Sequence, residues 1–353
     1  MAGLVDKVEE RIVNGISDGE FPVGKPLPSR HELSLRLGIG ERTVRAAIVR
    51  LAASGIVSVH RRIGAVVLKK NSKKRQCRFL DVRSEDFGSC AGSMFSLGVR
   101  RTVEKAGCRY REVQLSYCED DGMDLEPLDE ALEDKPDFVL IRAPNCRLQE
   151  IACFVSKRGV PYATVANAAF SQGKCVGAVR YDSSQPVREF VRDCKRAGVR
   201  SVLQFDFGGD SIVDARKPLE RAGISVERLA TPKGSNYENL DVLVRDAALV
   251  MKRRLAKCSL PDLVLITDDF LASGAISTLY QEGFRIPKDV RVVAYANRGS
   301  GFPFLQTMAC FESDPRVEGA NCAKSALKYL KTGHFPPYVI SSVYRRGCSF
   351  PVY

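Results

Sequence analysis

Apolar positions in the N-terminal part of the chain are first spaced as in helices and then alternate as in strands. From Leu4 to Ile16 they recur every four residues, which predicts an amphipathic helix. A short second helix is predicted after Ser29, because Ser29 and Glu32 have capping-box spacing. In that motif the serine accepts from the amide of the glutamate, and the glutamate side chain reaches back. Gly38 suits the left-handed residue that ends a helix.

A third helix is predicted from about Gly40 to Gly55, with one apolar side and arginines on the other. Two strands follow, at residues 56–59 and 65–68, around a basic tip at residues 60–64. Three helices and a hairpin form the plan of a winged helix-turn-helix, in which one helix enters the major groove of DNA. A solvated helix face explains any single arginine, but the whole arrangement favours DNA binding.

The predicted DNA contacts come from the helix starts and from the wing tip. Arginine can bond guanine through two hydrogen bonds or make a charged contact with phosphate. The candidate DNA-binding residues are Ser29, Arg30, His31, Glu41, Arg42, Thr43, Arg45, Arg61 and Arg62.

Charge is concentrated at the same end of the chain. Residues 1–75 hold 15 Lys and Arg against 7 Asp and Glu, whereas the other 278 residues hold 39 against 35. This asymmetry indicates a polyanion-binding module joined to a nearly neutral body. We assign residues 1–70 to the winged helix-turn-helix and residues 71–77 to a basic linker. A nuclear-localisation signal has a similar composition, but a basic hinge near DNA is favoured.

The body of the chain, residues 78–353, alternates continuous apolar strands with amphipathic helices. This pattern is typical of α/β domains with parallel sheets covered on both faces. The strands are too many for one sheet, so two lobes are expected. The first lobe is expected at about residues 78–178 plus 312–335, and the second at about residues 179–308 plus 336–353.

Two such lobes place the carboxyl ends of their strands across a cleft, where α/β proteins bind ligands. Polar and aromatic residues just past the predicted strands suit a hydroxyl-rich ligand such as a sugar, although each alone is more readily explained by core packing or a helix cap. The candidates are Asp86, Phe87, Arg142, Asn145, Phe207, Asp269, Tyr295 and Asn297.

Residues 5–68 resemble the DNA-binding domain of GntR-type bacterial regulators. That family usually has Glu-Arg-Glu after the serine of its LPS motif, where this chain has Arg30-His31-Glu32. It usually has Ser-Arg-Thr before its TVR motif, where this chain has Gly40-Glu41-Arg42. The resemblance implies the fold and docking in the groove, but not the operator sequence. The matching segments are Gly24–Ser29 (GKPLPS), Leu37–Ile39 (LGI), Thr43–Arg45 (TVR) and Gly55–Ile56 (GI).

Residues 78–353 resemble the effector domain of LacI/GalR-type regulators, which is related to periplasmic sugar-binding proteins. The resemblance implies that Asp269 binds hydroxyls of the effector and that Arg216 corresponds to a sugar-contacting arginine. Ala296 stands where the family usually has a ligand-binding aspartate. A GntR-like DNA-binding domain joined to a LacI-like effector domain is similar to the arabinose-repressor type of regulator. The matching segments are residues 267–275 (TDDFLASGA), 283–290 (GFRIPKDV) and 292–297 (VVAYAN).

Other classes of protein fit the sequence less well. Twelve cysteines without Cys-x-x-Cys spacing and only three histidines argue against a zinc site and favour reduced thiols. No phosphate-binding loop, nucleophile elbow or dinucleotide fingerprint is present, so an enzyme is the less favoured alternative, and no catalytic, metal or cofactor site is predicted. A transport-type sugar-binding protein would need an export signal, and the N-terminus shows none.

The sequence therefore predicts a cytoplasmic, ligand-responsive bacterial transcription regulator. The resemblance to the arabinose-repressor type implies a repressor, whereas the residues themselves leave repression and activation open. It is expected to form a homodimer on double-stranded operator DNA, to bind a sugar or sugar derivative between its lobes, and not to associate with a membrane.

Overall fold

The computed structural model describes residues 3–61, 63–68, 76–84, 90–118, 122–166, 173–207, 213–232, 239–299 and 307–352. The chain divides into two units, Met1–Gln76 and Cys77–Tyr353. Their boundary falls inside the stretch that the sequence indicates as a linker. Among the described residues, no helix combines the length and apolar character needed to cross a membrane.

The first unit contains every helix and strand that its sequence pattern predicts. Three helices, α1 (Leu4–Asp18), α2 (Arg30–Leu37) and α3 (Glu41–Ala53), precede two strands, β1 (Val57–His60) and β2 (Gly64–Val67). The strands pair antiparallel as a hairpin. Apolar side chains of all three helices and of the hairpin form one buried cluster, which gives this unit its own core.

The residues at the two ends of α2 determine where this helix begins and where it ends. The Ser29 Oγ accepts a hydrogen bond from the Glu32 amide at 3.1 Å, and Gly38 ends the helix with a φ of 62°. The predicted return bond of the capping box is absent. The Glu32 carboxylate bonds Arg36 at 2.5 Å instead, because an arginine four residues on lies on the same helix face.

The first sheet of the second unit has six parallel strands in the order β15-β9-β8-β7-β3-β4. Its central strands are fully buried, as expected for a parallel sheet with helices on both faces. The strands are β3 (Arg78–Ser84), β4 (Arg109–Leu115), β7 (Phe138–Arg142), β8 (Tyr162–Val165), β9 (Cys175–Tyr181) and β15 (Tyr338–Ile340). A separate short hairpin joins β5 (Tyr117–Cys118) to β6 (Gly122–Met123).

The second sheet also has six strands, in the order β11-β10-β12-β13-β14-β16. The first five are parallel, and the edge strand β16 pairs antiparallel with β14. The strands are β10 (Ser201–Asp206), β11 (Ser225–Ala230), β12 (Leu263–Ile266), β13 (Arg291–Asn297), β14 (Ala309–Ser313) and β16 (Val343–Arg345). The expected two lobes of mainly parallel sheet are therefore present, with one antiparallel edge.

Helices cover both faces of each sheet. Against the first sheet, α4 and α11 share one apolar cluster, and α5 and α6 share the other. Against the second sheet, α7 and α8 lie on one face, and α9 and α10 on the other. The helices are α4 (Cys90–Lys105), α5 (Glu126–Glu133), α6 (Asn145–Lys157), α7 (Ser184–Arg196), α8 (Arg216–Arg221), α9 (Leu240–Lys257), α10 (Asp269–Gln281) and α11 (Pro315–Thr332).

The chain passes between the two sheets three times, and the predicted lobe boundaries miss these crossings. Residues 338–340 form β15 in the first sheet, although residues 336–353 are predicted in the second lobe. In the first sheet, β9 extends to Tyr181, although the first lobe is predicted to end at about residue 178. In the second sheet, β14 extends to Ser313, although residues 312–335 are predicted in the first lobe. A strand of three residues carries too little periodicity for a sequence pattern to assign it to a sheet.

Two glycines allow α4 and α11 to pack closely. A β-carbon at Gly98 would lie 2.1 Å from the Arg316 carbonyl oxygen, and one at Gly319 would lie 2.1 Å from the Phe95 carbonyl oxygen. Both obstacles are backbone atoms, so relief requires the helices to separate.

We expect Gly319→Ala to lower the free energy of unfolding by about 1–3 kcal/mol, the usual cost of overpacking. Chemical denaturation of the variant beside Lys324→Ala, a change at an exposed position of the same helix, measures this effect. Replacing an exposed helical glycine with alanine would instead raise the free energy of unfolding by roughly 1 kcal/mol. A stabilised variant would therefore contradict the close approach.

Candidate DNA-binding face and effector cleft

Arginines of the first unit fall into two groups according to their partners. Three of them bond carboxylates of the same unit: Arg11 to Glu20 at 2.8 Å, Arg36 to Glu32 at 2.5 Å, and Arg50 to Asp6 at 2.8 Å. A second group is exposed and forms no ion pair or hydrogen bond within the described part of the chain. This group consists of Arg30, Arg42, Arg45 and Arg61. All four are predicted DNA contacts.

Helix α3 presents two of the unpaired arginines. Its apolar side is buried in the core of the unit, so its other side faces outward. Arg42 and Arg45 lie on this exposed side, one turn apart, and Thr43 between them is half-buried. In helix-turn-helix proteins the N-terminal residues of the recognition helix contact base edges. Two cations without a partner among the described residues therefore lie at the positions where helix-turn-helix proteins contact DNA.

Ser29 and Arg30 occupy the start of α2. The Ser29 hydroxyl already caps the helix, and its O–H still has a proton that can be donated to a phosphate. Arg30 is exposed beside it. A helix N-terminus also carries a partial positive charge, which suits phosphate.

His31 and Glu41 join the starts of α2 and α3. The His31 Nδ1 lies 2.9 Å from the Glu41 Oε1, and the two side chains are 72% and 54% exposed. An ionised carboxylate only accepts hydrogen bonds, so the imidazole Nδ1–H is the donor. Both predicted contact residues therefore belong to one inter-helix bridge on the outer surface.

The wing tip contributes one described arginine. Arg61 is exposed between β1 and β2, whereas Arg62 lies outside the described residues. The neighbouring His60 Nε2 lies 2.8 Å from the Ser58 Oγ.

Candidate effector residues in the second unit include some outside the described part of the chain. Asp86 and Phe87 are not described, and neither is the side chain of Asn145, which begins α6. Phe207 directly follows β10 and packs against the core of the second lobe.

Arg142 lies at the end of β7 but is inside the first lobe rather than at its surface. It is 1% exposed and makes a two-pronged ion pair with the fully buried Asp81, at 3.1 and 2.9 Å. Its guanidinium also donates to the Ser96 Oγ and lies over the Phe95 ring, 4.7 Å from the centroid. These contacts occupy the arginine, so the structure assigns it a supporting role instead of the predicted ligand contact.

Arg216 begins α8 and folds back on Asp214. Two hydrogen bonds join the side chains, at 3.0 and 2.8 Å, and they lower the pKa of the Asp214 carboxyl from its ordinary value. A ligand would have to compete with this pair to recruit Arg216.

Asp269, Tyr295 and Asn297 come together at the carboxyl ends of β12 and β13. The Asn297 Nδ2 donates to the Asp269 Oδ2 at 3.2 Å, and Asp269 is 1% exposed. Burial, and then the Glu318 carboxylate, raises the pKa of the Tyr295 phenol well above its ordinary value. The structure therefore assembles three predicted residues at one edge of the second sheet.

Two further residues at this edge, Ser313 and Glu318, and Tyr181 at the end of β9 in the first sheet were not predicted from the sequence. The Ser313 hydroxyl, at the end of β14, donates to the Glu318 carboxylate in the first turn of α11. Burial raises the pKa of the Glu318 carboxyl and, more strongly, that of the Tyr181 phenol, which also feels the Glu318 charge. The available signal was position, because Ser313 ends a strand and Glu318 follows it closely.

Two family models match separate parts of the chain. Residues 4–67 match the bacterial regulatory proteins of the gntR family, and residues 213–346 match the periplasmic binding protein-like domain. The chain therefore combines a segment similar to gntR-type DNA-binding domains with a segment similar to periplasmic binding protein-like domains.

Curated relatives match a short stretch of the chain. An uncharacterized HTH-type transcriptional regulator of Mycobacterium tuberculosis is 34% identical over 62 residues, which are 18% of this chain and 26% of that protein. The HTH-type transcriptional regulator Mce2R of Mycobacterium tuberculosis is 41% identical over 54 residues, 15% of this chain and 22% of the relative. The chain thus spans about a quarter of the length of these relatives.

Solved structures share the fold over most of the chain. A LacI family transcriptional regulator from Arthrobacter, in complex with lactose, superposes with a TM-score of 0.59 at 14% identity, over 78% of this chain and 100% of that one. The transcriptional regulator CelR in complex with cellobiose gives 0.59 at 16% identity, over 92% and 100%. An Enterococcus faecium LacI family regulator with bound ribose gives 0.62 at 15%, over 78% and 99%.

Proposed function

We propose that the protein is a ligand-responsive transcription regulator, which binds operator DNA through its first unit and a small effector through its second. The observation that supports DNA binding most directly is the set of exposed arginines that have no partner among the described residues, on the recognition helix, at the start of α2 and at the wing. Unpaired cations at these places suit phosphates and guanine edges, and the +8 charge of residues 1–75 supplies long-range attraction.

The proposed effector site is the edge of the second sheet where Asp269, Asn297 and Tyr295 meet. Carboxylate, amide and phenol groups match the hydroxyls of a sugar, and this edge is where open α/β sheets bind ligands. Similar structures contain lactose, cellobiose or ribose, so a mono- or disaccharide is the first class of effector to try.

Regulation by two copies of the chain follows from the geometry of operators. Two reading heads related by a two-fold axis bind two half-sites and double the contacts, so we propose a homodimer acting in the cytoplasm. Effector binding would favour one arrangement of the lobes. The resulting change in operator affinity is limited by how much more tightly the effector binds one arrangement than the other.

Asp269→Ala and Asp269→Asn are expected to remove the thermal stabilisation that an effector gives. A ligand at a hundred times its Kd stabilises the folded state by about 2.7 kcal/mol. Thermal unfolding of the unsubstituted protein with lactose, cellobiose, ribose and a wider set of neutral sugars identifies the ligand. The same measurement with that ligand then tests both variants. Asp241→Ala is the matched control, because Asp241 lies in the first turn of α9 and is exposed. An undiminished shift in both Asp269 variants would exclude Asp269 from the site.

A further inference from the structure

Glu41 is a carboxylate on a surface that otherwise offers positive charge to DNA. It is the first residue of α3, next to Arg42, and its side chain is 54% exposed. A carboxylate near phosphates is repelled, so its presence weakens non-specific binding. A direct contact with a base gains energy when the carboxylate accepts a hydrogen bond from a base amine.

The major groove offers such amines on cytosine and adenine. Glutamate characteristically accepts from the cytosine N4 amine, whereas adenine is matched by asparagine or glutamine, which bond its N6 and N7 together. The first turn of a recognition helix is the part that reaches base edges. Chemistry and position together favour cytosine.

His31 fixes the orientation of this carboxylate. Its Nδ1–H bonds only the Oε1 of Glu41, at 2.9 Å, and Glu41 has no other hydrogen bond or ion pair among the residues that the structure describes. The Oε2 therefore remains available to a base amine. Because the bridge spans α2 and α3, the carboxylate is held at a defined place relative to both helices.

We propose that Glu41, positioned by His31, reads a cytosine through its N4 amine and so determines the base preference at one position of each operator half-site. This inference rests on the proposed DNA-binding function of the first unit. It adds the identity of a specificity-determining residue, and it makes His31 a positioning residue rather than a base contact.

Selection of bound sequences from random DNA by the full-length protein, followed by affinity measurements on single-base variants, tests the proposal. The unsubstituted protein is expected to select cytosine at one half-site position and to bind about 5- to 150-fold more weakly when that base is changed. Glu41→Ala should lose this preference, and Glu41→Gln should shift it towards adenine, with all other positions unchanged.

Glu32→Gln is the matched control. It removes the same charge from the same unit, but the Glu32 carboxylate bonds Arg36 within α2. It should change affinity for all sequences by one common factor. If both Glu41 variants keep the preference for cytosine and also bind all sequences more tightly by a common factor, Glu41 is only a repulsive charge and the proposal is overturned.

Two substitutions separate the positioning role of His31 from a structural one. His31→Asn keeps an N–H donor near the place of Nδ1 and should preserve the preference for cytosine, whereas His31→Leu should lose most of it. Thermal unfolding should be unchanged in both. Full discrimination in the leucine variant would remove His31 from the proposal. A protein that selects no sequence at all would instead contradict the proposed function itself.

Discussion

Replacing Arg42 and Arg45 together with alanine is expected to lower operator affinity by about 30-fold or more while leaving thermal unfolding unchanged. Each base-contacting arginine contributes roughly 1–3 kcal/mol, and the two losses add because the side chains contact different groups on DNA. Stability should be unaffected, since neither arginine has a partner within the described residues that its loss would leave unpaired. Fluorescence anisotropy with a selected operator measures the affinity.

The control for this result is Arg36→Ala with Arg50→Ala. This pair removes the same charge from the same unit, but both arginines bond carboxylates of that unit. We expect a much smaller loss of affinity, because these cations are already compensated. The dependence of affinity on salt should also flatten in the first double variant, by about one unit of slope for each phosphate that the protein no longer binds. Equal losses of affinity in the two double variants would contradict the division of the arginines into two groups.

Arg142→Ala is expected to lower the free energy of unfolding by about 3–5 kcal/mol. The substitution leaves the Asp81 carboxylate, which is 0% exposed, without its guanidinium partner. It also removes the donor to the Ser96 hydroxyl, while the Tyr110 hydroxyl still donates to Asp81 at 3.0 Å. Chemical denaturation followed by far-ultraviolet circular dichroism measures the change.

Two further variants test why Arg142 matters. Arg111 forms exposed ion pairs with Glu130 and Asp134 in the same lobe, and Arg111→Ala should cost less than about 1 kcal/mol. Removing both buried charges, with Asp81→Leu and Arg142→Met, should cost less than Arg142→Ala alone, because no buried charge is then left unpaired. If the double substitution lowers the free energy of unfolding more than Arg142→Ala does, the unpaired buried charge of Asp81 is not the cause of the loss in Arg142→Ala.

Sequence pattern was sufficient for the first unit because its signals are local. The four-residue apolar repeat of α1, the Ser29 cap and Gly38 each act within one helix, and all three lie where the pattern predicts. The hairpin follows from two short apolar runs around a polar tip. In the second lobe, the residues of β11, SVERLA, have exposed or half-exposed side chains at the edge of the sheet, and such a pattern does not indicate a buried strand.

The site was harder to predict, because partners that are distant in the sequence decide what each charged residue does. Arg142 was placed correctly at the end of a strand, but its partner Asp81 lies 61 residues earlier. Arg50 shares a helix with Arg42 and Arg45, yet it is compensated by Asp6, 44 residues earlier. Spacing along one element cannot distinguish a paired cation from a free one, whereas the folded arrangement does.

The affinity of the full-length protein for its operator, with and without the sugar that stabilises it, is the most direct test of the central claim that a ligand in the second unit controls DNA binding by the first. We predict that the sugar changes the Kd for the operator of the unsubstituted protein but not of Asp269→Ala. By thermodynamic linkage, operator DNA must change the Kd for the sugar by the same factor. An operator Kd that is the same with and without every sugar that stabilises the protein would contradict the account.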